Sequence, residues 1–521
     1  MAAADVGASL GFEPGLVVAS RAGRWVLIAT ILGSALAGID ATVVGIALPV
    51  LGEDFHVGLS SLQWVVTSYT LTLAGLLLVA GSLGDRFGRR RVFIVGVAWF
   101  ALASVVCGAA PNAPILIVAR AVQGVGGALL TPGSLAILQA SFAPDERSRA
   151  IGAWSGFGGI GTAIGPLLGG WLIASLSWRL IFYINVPLAA AVILISARHV
   201  PESRDASAVG PVDVIGGVLV SGGLLGLVFG LIEGPTFGWT SVGVLASLAA
   251  GAAALALFVV HERRAAQPML PLEVFASRQF SAANVVTFVV YGALGGSLFL
   301  LPVQLQQVSG YSPLQAGLSL LPVTVIMLVL SARSGALAAR IGPRLQMSAG
   351  PLVIAAGLAL LSTVGPDAHY LSDVLPAVVV FGLGLAVIVA PLTSVALSSV
   401  TAGRAGIASA INNDVARTAG LVAVAVLPAA AGLTGAAYLH ADTFNDGFHT
   451  AMLIAAAVCA SGGVLAAAMI RNPRQPHGEA PVASYSCAVD GPAPAASALE
   501  TPDLHRDAGV DVPACGGAGP A

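Results

Sequence analysis

The sequence predicts an all-α polytopic membrane protein with about fourteen transmembrane helices. Of its 521 residues, 57% are hydrophobic and 9% are charged, whereas about a quarter of the residues in a soluble domain are charged. The polar residues also cluster in short breaks between apolar runs of about twenty residues, the length that crosses a bilayer as a helix. Because hydrocarbon cannot satisfy free backbone polar groups, each of these runs is expected to be helical.

The apolar runs are separated by short polar breaks, so each predicted helix is placed by the two breaks that flank it. An even number of crossings puts both termini on the same side of the membrane. In chain order, the helices are predicted near residues 25–48, 62–82, 92–110, 114–137, 150–173, 179–198, 212–232, 241–260, 281–303, 313–332, 345–364, 374–398, 406–430 and 449–470.

The loops on the two sides differ in charge. Arginine predominates in alternate loops, from Arg21 and Arg24 before the first helix to Arg471 and Arg474 after the last. The loops on the other side carry acidic residues, and among them only Arg179 is basic. Because basic loops stay on the cytoplasmic side, we expect the arginine-rich face and both termini to be cytoplasmic, in a multi-pass protein of the cell (cytoplasmic) membrane.

A degenerate repeat divides the predicted helices into two sets of six. The loop after the second helix, which begins at Gly81, recurs after the tenth helix from Gly335, with Ala339 where the first copy has Asp85. Each copy follows the second helix of a six-helix half, so the seventh and eighth helices form an inserted pair. The predicted units are an N-terminal six-helix bundle (1–200), an inserted two-helix linker (201–278), a C-terminal six-helix bundle (279–471) and a disordered cytoplasmic tail (472–521).

Residue types that the chain lacks exclude several classes of function. It contains no lysine, and therefore neither a Walker A phosphate loop nor a Schiff-base nucleophile. The cysteines are scattered without metal-ligand spacing and predict neither a disulfide nor a metal site. We expect no enzymatic activity, no cofactor and no nucleic-acid partner, and we expect a monomer. The four cysteines are Cys107, Cys459, Cys487 and Cys515.

The loop after the second helix is the most specific motif in the chain. Its glycines permit a tight turn between two helices, its Asp can accept from the N-terminus of a facing helix, and its arginines favour the anionic cytoplasmic leaflet. A basic turn that only sets topology would explain the arginines but not the Asp and the spaced glycines. With this loop the chain resembles the major facilitator superfamily, and the resemblance implies a cytoplasmic gate, with Asp85 facing the N-terminal end of helix 13. The gate would comprise Gly81, Asp85, Arg86, Gly88, Arg89 and Arg90.

Further motifs resemble the fourteen-helix drug:proton antiporter branch of that superfamily over roughly residues 25 to 470. The first helix carries the branch's motif at 39–49, with Gly45 where the family usually has Asn, and the fourth helix carries its motif from Leu116 to Gly127. The resemblance implies two six-helix halves that rock around a midplane cavity.

The fifth helix carries a pattern that in this superfamily is associated with antiporters more than with symporters. Glycines four apart line one face and allow close helix packing, while proline bends the helix. Helix packing without transport is the alternative interpretation. The antiporter motif comprises Gly161, Gly165, Pro166, Gly169 and Gly170.

Two charges inside the predicted bilayer are the strongest functional candidates, because each costs on the order of 3 kcal/mol at mid-helix. Asp40 lies about 24 Å from the cytoplasmic end of the first helix, and Arg120 lies about 9 Å from the outer end of the fourth. In a core about 30 Å thick, both fall at similar depth and can face each other. We expect Asp40 to load and unload a proton that Arg120 tunes; a permanent structural ion pair is the alternative.

A second group of residues is predicted to line the substrate cavity. Asp414 and Arg417 are three apart on the thirteenth helix and so share a face, where they either contact substrate or form an intrahelical ion pair. Tyr69, Trp154 and Tyr291 lie on or near presumed pore-lining helices and are candidates for an aromatic surface. Polar candidates for the same cavity are Gln123 and Asn413.

The resemblance implies a proton-coupled antiporter that exports small amphipathic drugs or antibiotics across the cytoplasmic membrane by alternating access. Its partners would be a small-molecule substrate, protons and the lipid membrane. A dedicated exporter of one endogenous metabolite and a non-transporting membrane sensor or scaffold are the alternatives. Uptake by proton symport is opposed mainly by the pattern in the fifth helix.

Overall fold

The computed structural model describes residues 15–205, 212–401, 405–435 and 440–472. This part of the chain is helical, apart from loops and one isolated β-bridge between Leu16 and Phe142. The predicted disordered tail lies outside the described residues, except for Asn472.

The helices follow the predicted order, and the predicted all-α membrane fold is confirmed. Thirteen helices of the described chain are long and apolar enough to cross a membrane. The predicted helix that is not among these thirteen is α5, because its described apolar segment, Ile164–Ser175, is shorter. The bounds are α1 Arg21–Phe55, α2 Leu59–Phe87, α3 Arg89–Ala109, α4 Ala113–Ser141, α5 Arg147–Ser175, α6 Leu180–His199, α7 Val214–Phe237, α8 Val242–Arg264, α9 Arg278–Val308, α10 Pro313–Ile341, α11 Pro343–Leu361, α12 Tyr370–Ser398, α13 Ala405–Ala430 and α14 Ala441–Met469.

The two copies of the sequence repeat make the same turn. Gly88 and Gly342, which occupy matching positions in the repeat, have φ of 111° and 83°. These positive values are accessible to glycine and unfavourable for other residues. In both copies the glycine amide donates to a carbonyl four residues earlier, at Gly84 and at Ala338. The repeat therefore ends α2 and α10 in the same way and reverses the chain into α3 and α11.

Helix packing repeats with a shift of eight helices. In the first set, α5 packs against α1, while α2 and α3 both pack against α4. In the second set, α13 packs against α9, while α10 and α11 both pack against α12. This correspondence fits the predicted division into bundles at 1–200 and 279–471, which stays a prediction. We refer to α1–α6 and α9–α14 as the first and second halves.

The halves meet at one end of the bundle. We call the end with the Gly88 and Gly342 turns the arginine-rich end, and the end with loops 56–58 and 309–312 the acidic end. Gln63 of α2 donates to the Val424 carbonyl at 2.6 Å, and Gln306 of α9 donates to the Ile46 carbonyl at 3.0 Å. Both bonds join opposite halves near the acidic end, which is therefore closed in this structure.

The halves separate toward the arginine-rich end. On α5, Gly170 lies against the backbone of Pro313 and Leu314 in α10. Gly152 precedes Gly170 by about five turns and so lies on the same face, yet a Cβ added at Gly152 or at Gly156 would meet no described atom within 4 Å. The face that closes against α10 at one end is thus open at the other, as expected for a cavity accessible from the arginine-rich end.

The inserted pair, α7 and α8, packs beside the seam between the halves. An apolar cluster joins Leu224 and Val228 of α7 to Leu71 of α2 and to Leu421 of α13. Near the acidic end, the Trp64 indole N–H donates to Glu233 at 2.8 Å. Helix α7 therefore contacts one helix from each half and covers the line along which they meet.

Candidate functional site

The buried pair of Asp40 and Arg120 lies at the centre of the first half. Arg120 Nη1 is 2.5 Å from Asp40 Oδ2, and both residues are 1% exposed. Their helices, α1 and α4, pack against each other. The sequence placed the two charges at similar depth, and the structure places them in direct contact.

Polar side chains from two further helices complete the network around the Asp40 carboxylate. Oδ1 accepts hydrogen bonds from Gln123 Nε2 at 2.8 Å and from Asn185 Nδ2 at 3.0 Å. The same two amide nitrogens also donate to Ser104 Oγ, at 2.7 Å and 3.1 Å. Each carboxylate oxygen therefore has a donor, which is what a buried charge requires. Four helices, α1, α3, α4 and α6, meet at this network.

Asn185 and Ser104 were missed by the sequence interpretation. Both are fully buried. The available signal was a polar residue within an otherwise apolar helix, but serine and asparagine in such helices often bond to their own backbone or to a neighbouring helix. Only the packing of α3 and α6 against α4 and α1 identifies these two as partners of Asp40.

Aromatic rings cover the Arg120 guanidinium. Its carbon Cζ is 4.2 Å from the ring centre of Tyr69 and 5.9 Å from that of Phe182. Nε donates to the Val65 carbonyl at 3.3 Å. Tyr69 and Gln123, which the sequence suggested for the cavity wall, are 3% and 0% exposed and belong to this network instead. The reason is packing: both point at the buried ion pair.

The glycines of the α5 motif pack against the helix that carries Asp40. A Cβ added at Gly161, Gly165 or Gly169 would meet Ala35, Thr42 or Val43 of α1, respectively. These contacts define a glycine seam, which brings the two helices close together along about two turns. Trp154, nearer the arginine-rich end of α5, donates from Nε1 to Ser34 Oγ of α1 at 2.9 Å.

The remaining residues of the motif face the second half. Gly170 lies against the start of α10, and the Pro166 carbonyl lies where a Cβ of Gly317 would project. One segment of α5 therefore holds α1 on one side and α10 on the other. Because proline has no amide hydrogen, Pro166 leaves one helical carbonyl without its usual donor at this junction.

A cavity of about 320 Å³ lies in the second half. Tyr291 of α9 and Asn413 and Arg417 of α13 line it, as the sequence suggested for the substrate cavity. Its other lining residues are polar or aliphatic and carry no charge, so Arg417 is the one charged residue of the lining. They are Thr393, Ala396, Leu397, Ser409, Asn412 and Ala416.

Of the two alternatives for Asp414 and Arg417, the intrahelical ion pair is not formed in the described chain, where no carboxylate lies within 4.0 Å of an Arg417 nitrogen. Instead, Arg417 Nε donates to Asn413 Oδ1 at 2.9 Å. Asp414 Oδ1 is buried without a hydrogen-bond partner among the described residues. Residues three apart share a helix face, but here the residue one full turn away provides the acceptor.

The gate motif forms contacts within its own half. Asp85 Oδ1 is 2.7 Å from Arg89 Nη2. Glu202, which follows α6, accepts from the Arg90 amide at 3.1 Å and lies 3.7 Å from the Arg90 and Arg91 side chains.

The other gate residues lie in the helix that precedes this turn. Gly81 and Arg86 are half-buried in the last turns of α2. Residues 402–404, just before α13, lie outside the described residues, so the expected contact of Asp85 with that end of α13 stays a prediction.

Among the described residues, no group of three or more His, Cys, Asp or Glu side chains could hold a metal ion. Cys107 and Cys459 are free and buried. Cys107 Sγ lies 3.3 Å from Gln123 Oε1 and can donate to it, so this thiol packs beside the charge network.

Comparison with known proteins gives matches over most of the chain. The sequence model described as Major Facilitator Superfamily matches residues 30–425. The tetracenomycin C resistance and export protein of Streptomyces glaucescens is 38% identical over 401 residues, which cover 77% of this chain and 74% of that protein. The multidrug resistance protein Stp of Mycobacterium tuberculosis (strain CDC 1551 / Oshkosh) is 40% identical over 387 residues, covering 74% and 71%.

A solved structure shows likeness of fold. The D-xylose-proton symporter aligns with a TM-score of 0.62 and 15% identity, over 86% of this chain and 98% of that chain.

Proposed function

The chain belongs to the major facilitator superfamily, a family of membrane transporters and not of enzymes, and from that premise we propose that it is a proton-coupled antiporter that exports drugs or antibiotics. The direction of transport is supported by a relative whose name states resistance and export and by another whose name states multidrug resistance. The proposed substrates are small amphipathic molecules. We place the protein in the cell membrane as a monomer, with the arginine-rich end and both termini in the cytoplasm.

Proton coupling is supported by one observation, the Asp40–Arg120 pair buried in the first half. A carboxylate can be held in its charged form by an adjacent cation and by donated hydrogen bonds, while desolvation opposes the charge. If rocking of the halves separates Asp40 from Arg120, the balance shifts toward protonation. Asp40 would then take up a proton from the outside and release it when the pair forms again in the inward-open state.

Movement between the two states is expected to use the glycine seam and the gate. The seam joins α5 to α1, the helix that carries Asp40, so displacement of α5 reaches the carboxylate directly. At the arginine-rich end, Asp85 would leave Arg89 and contact the N-terminal end of α13 when the cytoplasmic side closes. Such a gate must break in each cycle and should contribute only a few kcal/mol.

Asp40→Asn tests the proposal in proteoliposomes with an imposed pH gradient. Asparagine retains the shape of the carboxylate and an acceptor for Asn185 or Gln123, but it cannot be ionised. We expect gradient-driven transport to be lost and exchange of substrate without net proton movement to be retained. Asp367→Asn, in the exposed loop before α12, is the matched control and should transport normally.

Full gradient-driven export by Asp40→Asn would contradict the proton role. If the pair is instead a permanent structural lock, exchange and gradient-driven transport should fall together, and the melting temperature should fall with them. Measuring both transport modes and the melting temperature therefore separates the two interpretations.

A further inference from the structure

The cavity in the second half contains an arginine without a carboxylate partner among the described residues. Arg417 lines this cavity, and its described hydrogen bond uses Nε alone, donated to Asn413 Oδ1. Arginine remains protonated in proteins, so its charge persists inside a membrane protein where an unpaired charge is costly. Asp414, within one turn on α13, interacts with Arg417 electrostatically but lies beyond ion-pair distance. A cation without a close carboxylate beside an empty volume favours a ligand that brings the opposite charge.

Among the described residues, the buried arginine of the first half is in a different environment. Arg120 is 1% exposed, is paired with Asp40 and lies under the Tyr69 ring. Its charge is neutralised within the protein, so it is not available to a molecule in the cavity. Arg120 and Arg417 thus have different environments, although both lie on helices of the transport bundle.

The other groups on the cavity wall also suit an anion. Because Asn413 Oδ1 accepts the bond from Arg417, the Asn413 amide nitrogen is left to donate. Ser409 adds a hydroxyl, and no lining residue is acidic. Tyr291 provides an aromatic face beside these donors. A volume of about 320 Å³ falls at the lower end of the range for small-molecule pockets.

We propose that this cavity binds amphipathic organic anions, with a carboxylate or similar planar acidic group on Arg417 and an aromatic body against Tyr291. The proposal rests on the exporter function proposed above and assigns its substrate class. Guanidinium and carboxylate match in a planar, two-point hydrogen-bonded geometry. Asn413 is then a second donor that helps to select the acidic group, and cationic amphiphiles should be disfavoured.

Two dyes that share one scaffold test the charge preference. Fluorescein is a xanthene that carries a carboxylate, and rhodamine 6G is a xanthene cation of similar size. Binding of each dye would be measured by fluorescence anisotropy on the full chain in lipid nanodiscs, with empty nanodiscs as the blank. We expect fluorescein to bind at least about tenfold more tightly than rhodamine 6G, a ratio within the range for a charge-assisted hydrogen bond.

Variants of Arg417 test whether this residue is responsible for the charge preference in dye binding. Arg417→Gln should weaken fluorescein binding about tenfold or more and leave rhodamine 6G unchanged or tighter, while Arg417→Lys should weaken fluorescein less, because it keeps the charge. The matched control is Arg333→Gln, which removes an exposed arginine from α10 that does not line this cavity. Melting temperatures would establish that each variant is folded.

Three outcomes would overturn the proposal. Rhodamine 6G could bind the unchanged protein as tightly as fluorescein, Arg417→Gln could leave fluorescein binding intact, or Arg333→Gln could weaken it equally through a general loss of positive charge. Because the assay needs neither a proton gradient nor transport, failure of proton coupling does not affect it. Conversely, gradient-driven export of rhodamine 6G without fluorescein binding would support the exporter function and reject the anion site.

Discussion

The buried Asp40 carboxylate is stabilised by several partners at once. Asp40 contacts Arg120, Gln123 and Asn185, which come from two helices other than its own. Removing one partner from such a group leaves the others desolvated and unpaired, which costs more than the lost contact itself. The ion pair is therefore stable in the observed state, which is open at the arginine-rich end, and a transport cycle that opens the pair must replace these contacts.

A second charged contact involves Asp213, which lies outside the membrane-spanning helices, immediately before the start of α7. Asp213 Oδ1 accepts from the Gly216 amide at 2.8 Å and lies 2.8 Å from His261 Nε2. Burial raises the pKa of Asp213, but the hydrogen bond from Gly216 and the bond and charge of His261 outweigh burial and lower it overall. A carboxyl group whose pKa is lower in the folded state stabilises that state above its unfolded pKa of about 4.

We therefore expect acid to remove this stabilisation. As the pH falls below about 4 and through the folded-state pKa of Asp213, its contribution disappears. Asp213→Asn should lower the melting temperature at pH 6 and make the melting temperature less sensitive to pH between about 3 and 5. Melting curves of the detergent-solubilised protein across this range would show it. Parallel curves for the two proteins would contradict the assignment, and Asp367→Asn is the exposed control.

At the scale of single helices, α5 combines two surfaces with different requirements. The glycine seam needs close approach to α1, whereas the face with Gly152 and Gly156 borders open space in this structure. The same residue type therefore has different importance on the two faces. The sequence motif includes Gly161, Gly165, Gly169 and Gly170, and the structure shows that the first three contact α1 whereas Gly170 contacts α10.

Gly165→Val and Gly152→Val form a matched pair on this helix. A Cβ at Gly165 would overlap Thr42 Oγ1 and approach the Ile39 carbonyl, so valine should push α5 from α1 and cost about 1–3 kcal/mol as overpacking. A Cβ at Gly152 meets nothing within 4 Å among the described residues. We expect lower melting temperature and export for Gly165→Val and near-normal values for Gly152→Val. Equal losses in both variants would show that helix propensity, not the seam, determines the effect.

At the scale of the whole molecule, the closed acidic end and the open arginine-rich end have separate polar contacts. Gln63 and Gln306 each donate across the halves, in opposite directions. Gln346 provides a comparison, since it is also buried but donates to Ser334 within the second half. The two crossing bonds must break when the acidic end opens, so they should favour the observed state.

Removing these contacts should shift the equilibrium between the two states in opposite directions. Gln63→Leu should favour opening at the acidic end, whereas Asp85→Ala should weaken the outward-open state by removing a gate contact. Spin labels at Pro111 and Asp367, exposed in acidic-end loops of opposite halves, would report the distance by electron resonance after replacement of the native cysteines. Gln63→Leu should increase the population with a long distance, Asp85→Ala should decrease it, and Gln346→Leu should leave it unchanged.

An unchanged distance distribution in Gln63→Leu would mean that apolar packing alone closes the acidic end. For the gate, unchanged transport together with an unchanged distance distribution in Asp85→Ala would count against the role of Asp85. Glu202→Gln is the matched control for the gate, because Glu202 binds the same loop from within the first half.

The sequence predicted the helical membrane fold, the order of the helices, the repeated glycine turns and the proximity of Asp40 and Arg120. These follow from hydropathy, chain geometry and local conformation, which are properties of neighbouring residues. The tertiary structure shows which distant side chains share a site: Asn185 contacts Asp40 although 145 residues separate them in the sequence, and Arg417 bonds to Asn413 and not to Asp414. It also shows which end of the bundle is open. The open end depends on how the two halves pack against each other, and hydropathy along the chain does not predict this contact.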